Sequence, residues 1–170
     1  MNIARGIIAV LALGALGTFA GLLALPAHDR VPEVAFTSLS GERFTASKLR
    51  GKVAVVTFWA TWCPVCVREM PELVAAHRKY SPRGYETVAV AVRDRPERVA
   101  AFALERDLPF KVVVDDSGDI SRRFGNIRIT PTTFVIGRKG RILKRYSGRP
   151  DWGQFDRLIE KALAEPSSPS

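Results

Sequence analysis

Fourteen residues, "VAVVTFWATWCPVC" from Val53 to Cys66, restrict the fold more than any other stretch of this 170-residue chain. The first eight, Val53 to Ala60, are apolar and β-branched almost throughout, the pattern of a strand buried on both faces. A helical period begins at the cysteines: Cys66, Met70, Leu73, Val74 and His77 fall on one stripe of a helix. Pro64 lies in the first turn, where its missing N–H costs nothing, and Pro71 lies inside the pattern and should bend it. The chain therefore passes from a buried strand into a helix through a short connection that carries both of its cysteines. That connection sits at the C-terminal edge of the strand, where open α/β sheets place their sites.

The rest of the sequence supplies the other layers. "AFTSLSGERFTASKLRGK" alternates around Ser40-Gly41 and predicts a hairpin or two short extended pieces. "TVAVAVR" (Thr87 to Arg93) and "FKVVVD" (Phe110 to Asp115) read as a second and third buried strand. Between them, Asp94 is expected to cap a helix over "RPERVAAFALERD", with Val99, Phe102 and Ala103 on one face. "SGDISRRFG" predicts a short helix closed by Gly125. "TFVIG" and "RILKRYSG" read as an antiparallel pair turning at Lys139-Gly140. A final amphipathic helix puts Trp152, Phe155, Leu158, Ile159 and Leu163 on its apolar side. The expectation is an α/β fold with a mixed central sheet and helices on both faces. The domain spans 34–165, between a 28–33 linker and a frayed 166–170 tail.

Residues 1–27 are read separately. Gly6 to Leu25 carries no charge over twenty residues, which at about 1.5 Å each reaches about 30 Å, the thickness of a bilayer core. With Arg5 and the amino terminus ahead of it, this is a membrane-targeting helix whose following chain lies outside the cytoplasm. An uncleaved anchor is preferred over a cleaved signal, although "LPA" at Leu25 to Ala27 ends as a cleavage site would. The expected location is the periplasmic face of a bacterial inner membrane, or the soluble periplasm if the segment is removed. The formal net charge of +9 is scattered, with no aromatic-interleaved basic run, so nucleic acid is not an expected partner. A basic surface near an anionic membrane accounts for it. Hydrophobic residues make up 46%, enough for a packed core, which excludes intrinsic disorder.

Cys63 and Cys66 admit few uses. A staple gains stability from closing a long loop, and this pair closes a very short one. Structural zinc wants four ligands, and the only histidines are His28, in the linker, and His77, in the helix stripe, so no metal is expected. Redox exchange suits the pair best. A thiolate at a helix N-terminus faces unpaired N–H groups and the positive end of the macrodipole. Cys63 is thus the attacking sulfur and Cys66, one turn on, the resolving one. Two other functions stay open: a copper-binding module using both thiolates, and a thiol peroxidase.

"FWATWCPVCVREMPEL" together with "ITPTTFVIGRKGRI" resembles the thioredoxin-like superfamily, in its extracytoplasmic TlpA/ResA/CcmG-type branch, over about residues 31–165. The resemblance implies a thioredoxin-like fold and a thiol–disulfide oxidoreductase with Cys63 and Cys66 as the redox pair and no organic cofactor. It implies that Thr130-Pro131 is the cis-proline position facing the cysteines, whose backbone pairs with an incoming chain. Trp62 matches the tryptophan flanking the site, and Glu69 matches an acidic residue able to relay a proton. Thr57 stands where ordinary thioredoxins carry a buried aspartate, which throws more weight on Glu69. Ala60 stands where peroxidases on this fold carry a threonine. Implied partners are protein disulfides, of apocytochrome c or of copper proteins, and a transmembrane thiol donor of electrons.

Overall fold

The computed structural model describes residues 30–166. The expected membrane-targeting helix lies outside the described residues, as do the first part of the linker and most of the tail. No helix among the described residues is long and apolar enough to cross a membrane.

The strands are β1 (Ala35–Thr37), β2 (Arg43–Thr45), β3 (Val53–Trp59), β4 (Tyr85–Val92), β5 (Lys111–Asp115), β6 (Thr132–Ile136) and β7 (Ile142–Ser147). The helices are α1 (Pro64–Tyr80), α2 (Pro96–Glu105), α3 (Asp119–Arg123) and α4 (Trp152–Ala164). Five strands form one sheet in the order β5-β4-β3-β6-β7. β3 pairs parallel with β4 and antiparallel with β6, so the sheet is mixed and β3 is its centre. All seven residues of β3 are buried, as a strand covered on both faces must be.

Alternation along β3 divides the core. Val53, Val55 and Trp59 face a cluster with Met70 and Leu73 of α1, Val99 of α2, and Phe155 and Ile159 of α4. Ala54, Val56 and Phe58 face the opposite cluster. Helices flank both faces, but unequally. The second face has only α3 and one turn of 3-10 helix at Ala46–Leu49, and the β1–β2 hairpin supplies the rest of its cover. Phe36 and Phe44 stack across that hairpin with ring centroids 5.0 Å apart. A two-stranded hairpin is marginal alone. Here it is tied to the sheet edge, where Leu39 donates its N–H to the Val112 carbonyl at 2.8 Å.

α1 forms where the periodicity predicts, and Pro71 does not end it. The helix at α2 starts differently from the expectation. Arg95, not Asp94, occupies the capping position, and no side chain caps it; Pro96 takes the first helical place. The Asp94 carboxylate is engaged elsewhere, on the loop that leads into the cysteines.

Candidate functional site

The site is assembled at the C-terminal end of β3. The chain leaves the sheet at Trp59, turns through Ala60 to Trp62, and enters α1 at Cys63, which caps the helix. The Cys63 sulfur accepts the backbone N–H of Cys66 at 3.3 Å, and the Cys63 carbonyl accepts the N–H of Val67 at 3.0 Å. A capping sulfur is an unusual substitute for a serine or aspartate oxygen, and the same geometry that satisfies a helix N–H stabilises negative charge on the acceptor. The two cysteines are joined as a disulfide, with Cα atoms 5.3 Å apart. Cys63 keeps 5% of its surface accessible and Cys66 only 1%, so a second thiol can reach Cys63 more readily.

Register brings the second half of the site into place. Phe58 of β3 lies opposite Thr132, the first residue of β6, so the segment before β6 ends beside the cysteines. The Thr130–Pro131 bond is cis, and the Thr130 carbonyl oxygen lies 3.7 Å from the Cys63 sulfur. The Thr132 hydroxyl donates to the Ile129 carbonyl at 2.7 Å and fixes the turn. Trp62 stands on the rim, about half exposed, and its indole N–H donates to the Arg93 carbonyl at 2.9 Å. Ile129, on the segment that precedes the cis bond, is also exposed.

Glu69 lies three residues beyond Cys66, on the same side of α1. It is only 2% exposed, and its Oε1 has no hydrogen-bond partner. Burial raises its carboxyl from an ordinary 4.5 to about 7, against the opposing pull of Arg149. Thr57 brings no charge to the site. It is buried, and its hydroxyl pairs with that of Thr133 at 2.9 Å on the neighbouring strand. His77 is half-buried with Nδ1 3.2 Å from the Thr87 hydroxyl, and burial holds its pKa below the usual value.

Two contributors escape sequence reasoning. Asp94 Oδ2 accepts both the N–H and the hydroxyl of Thr61, at 2.6 and 2.7 Å, and so holds the loop that presents Trp62 and Cys63. An acidic residue at a strand end before a proline reads equally as a cap, and only the fold decides between the two. Arg149 reaches back from the end of β7 to Glu69, a contact no sequence spacing announces.

Strand order, a CxxC pair at the mouth of α1 and a cis-proline loop facing it define a thioredoxin-like thiol–disulfide oxidoreductase. The comparisons make the family particular. The Redoxin family model matches residues 26–162. The chain is 31% identical over 150 residues to "Thiol-disulfide oxidoreductase ResA" of Geobacillus thermodenitrificans, covering 85% of this chain and 86% of that one. It is 30% identical over 130 residues to the protein of the same name from Bacillus thuringiensis subsp. konkukian, covering 76% and 75%. Among solved structures, a thiol:disulfide interchange protein of the thioredoxin family from Chlorobium tepidum superposes with a TM-score of 0.73 at 28% identity, covering 80% of this chain and 97% of that one. The chain belongs to the Redoxin family, among its ResA-type thiol–disulfide oxidoreductases, and protein disulfides are its substrates.

Proposed function

We propose that the protein reduces specific protein disulfides outside the cytoplasm, with Cys63 as nucleophile and Cys66 as resolving thiol. One observation carries the reading: the Cys63 sulfur is the cap of α1, where backbone N–H groups favour its anion. In the reduced protein the Cys63 thiolate attacks a substrate sulfur. The substrate S–S bond breaks, and one substrate sulfur leaves and takes up a proton from water. Cys66 then gives its proton to the Glu69 carboxylate and attacks Cys63. The second substrate sulfur leaves and is protonated in turn, by Glu69 through the opened site. Two electrons have passed to the substrate, and Cys63 and Cys66 are left as the disulfide.

The residues around the sulfur suit a polypeptide. Thr130, beside its cis bond to Pro131, offers backbone to an incoming chain, and Trp62 gives it an apolar rest. The two sulfurs carry the electrons themselves, without a further cofactor. Gly6 to Leu25 anchors the protein to the inner membrane with the domain in the periplasm. There a reductant needs a supply of electrons, which a transmembrane thiol donor provides. The substrates are cysteines of apocytochrome c or of a copper-handling protein.

Trapping tests the whole reading. Cys66→Ser expressed in the native host should accumulate mixed disulfides through Cys63, and those partners should carry paired cysteines. A variant that captures nothing, in a protein that when reduced leaves a peptide disulfide intact, overturns it.

A further inference from the structure

Glu69, one turn of α1 beyond Cys66, is buried with one oxygen unpartnered, and among the described residues Arg149 is the cation from outside α1 that faces it. Arg149 Nε lies 3.9 Å from Glu69 Oε1, beyond hydrogen-bonding distance, while its Nη2 meets Glu72 Oε1 at 3.5 Å. The other charged neighbours, Glu72 and Arg68, belong to α1 itself. The guanidinium is largely exposed, whereas the carboxylate it faces is buried. It therefore acts on Glu69 through its field more than through a bond, and the dry side of the contact strengthens that field.

The backbone that carries Arg149 is itself part of the substrate side. Gly148, with φ of +86°, donates its N–H to the Pro131 carbonyl at 2.8 Å. A residue with a Cβ rarely holds that conformation, so glycine sets the turn that aims the next residue at α1. Pro150 follows and is buried. Arg149 is thereby fixed between two anchored neighbours, one of them bonded to the cis-proline loop.

We infer that Arg149 is a positioning residue for proton transfer, keeping the buried Glu69 carboxylate ionised so that it can take the proton of Cys66. The inference rests on the roles proposed above for Glu69 and Cys66. Without the guanidinium, burial and the neighbouring Glu72 both favour the protonated acid, which cannot act as a base. Because Gly148 is bonded to Pro131, a chain docking on that loop bears directly on the segment that aims the guanidinium.

The test is the pH–rate profile for single-turnover reduction of a synthetic peptide disulfide by the full-length protein. Arg149→Gln should move the ascending limb up by about half to one pH unit and lower the rate at pH 7 by about threefold, with the high-pH plateau retained. Arg149→Lys should restore most of the original profile. In a Glu69→Gln background, Arg149→Gln should have no further effect on the limb. If Glu69→Gln shifts the profile and Arg149→Gln does not, the role of Arg149 is wrong and that of Glu69 stands. If Glu69→Gln leaves the profile unchanged, the base itself is wrongly assigned. Direct titration of the Glu69 carboxyl by carbon NMR in both Arg149 variants gives the same answer without an activity assay: an unmoved midpoint in Arg149→Gln overturns the inference.

Discussion

The backbone N–H of Cys66 points at the Cys63 sulfur across 3.3 Å, and the Thr130 carbonyl oxygen stands 3.7 Å away from the same atom. The two neighbours pull in opposite directions. The N–H, backed by the other open donors of the first turn, favours a thiolate. The carbonyl disfavours a thiolate and can accept from a thiol. The donor is the nearer and sits at the N-terminal end of a seventeen-residue helix, the arrangement that the proposed nucleophile requires. An incoming polypeptide that occupies the Thr130 carbonyl removes the opposing influence at the moment of attack.

Glu69 makes stability depend on pH with a definite sign. Below pH 4.5 the carboxyl is protonated both in the folded and in the unfolded chain, and it contributes no difference. Between about 4.5 and 7 the unfolded chain releases the proton while the folded one retains it, so stability falls as pH rises. Above about 7 the cost is constant, at up to ~3 kcal/mol. Glu69→Gln does not titrate. Denaturant unfolding of the oxidised protein should show the variant gaining on wild type by about 2–3 kcal/mol between pH 4 and pH 8. A difference that stays flat over that range contradicts a buried carboxyl at this position.

The loop ahead of the cysteines depends on Asp94. Its carboxylate takes two short bonds from Thr61 and one from the Arg95 N–H at 2.9 Å. Asp94→Ala should cost about 2–4 kcal/mol. It should also speed hydrogen exchange of the Thr61 amide by at least about tenfold, because that amide loses its acceptor. Unchanged exchange at Thr61 would mean that the loop is held by something else.

Much of this architecture can be read from local pattern. β3 and α1 announce themselves because one is apolar at every position and the other repeats at 3.6 residues. The paired cysteines between them locate the site without knowledge of the sheet. What pattern cannot supply is which element lies across from which. Antiparallel pairing of β6 with β3 brings Thr130 to Cys63 and Thr133 to Thr57. The position of α4 and the turn after β7 decides that Arg149 meets Glu69. The cap expected of Asp94 failed for the same reason, since a carboxylate at a strand end has two places to go. Alternation around Ser40-Gly41 announces the β1–β2 pair, but nothing in that local pattern says that it docks on the edge strand β5 and covers the second sheet face.

Thr57 and Thr133 form a closed pair in the sheet, so neither should take part in proton transfer. Thr57→Val leaves the Thr133 hydroxyl buried and unpaired and should cost about 1–2 kcal/mol. Adding Thr133→Val removes the orphan and should recover most of that loss. The pH–rate profile of reduction should be the same in Thr57→Val as in wild type. A shifted profile would give Thr57 a part in the chemistry that its pairing denies it.

The central claim is that helix α1 makes Cys63 acidic. The direct measurement is the ionisation of that one sulfur in the Cys66→Ser variant, which keeps the backbone N–H of residue 66, followed by thiolate absorbance and by alkylation rate across pH. The account predicts a midpoint at least about one unit below the ordinary thiol value of ~8.5. A midpoint at or above ~8.5 would show that the capping N–H groups do not activate the sulfur, and the proposed nucleophile would be lost.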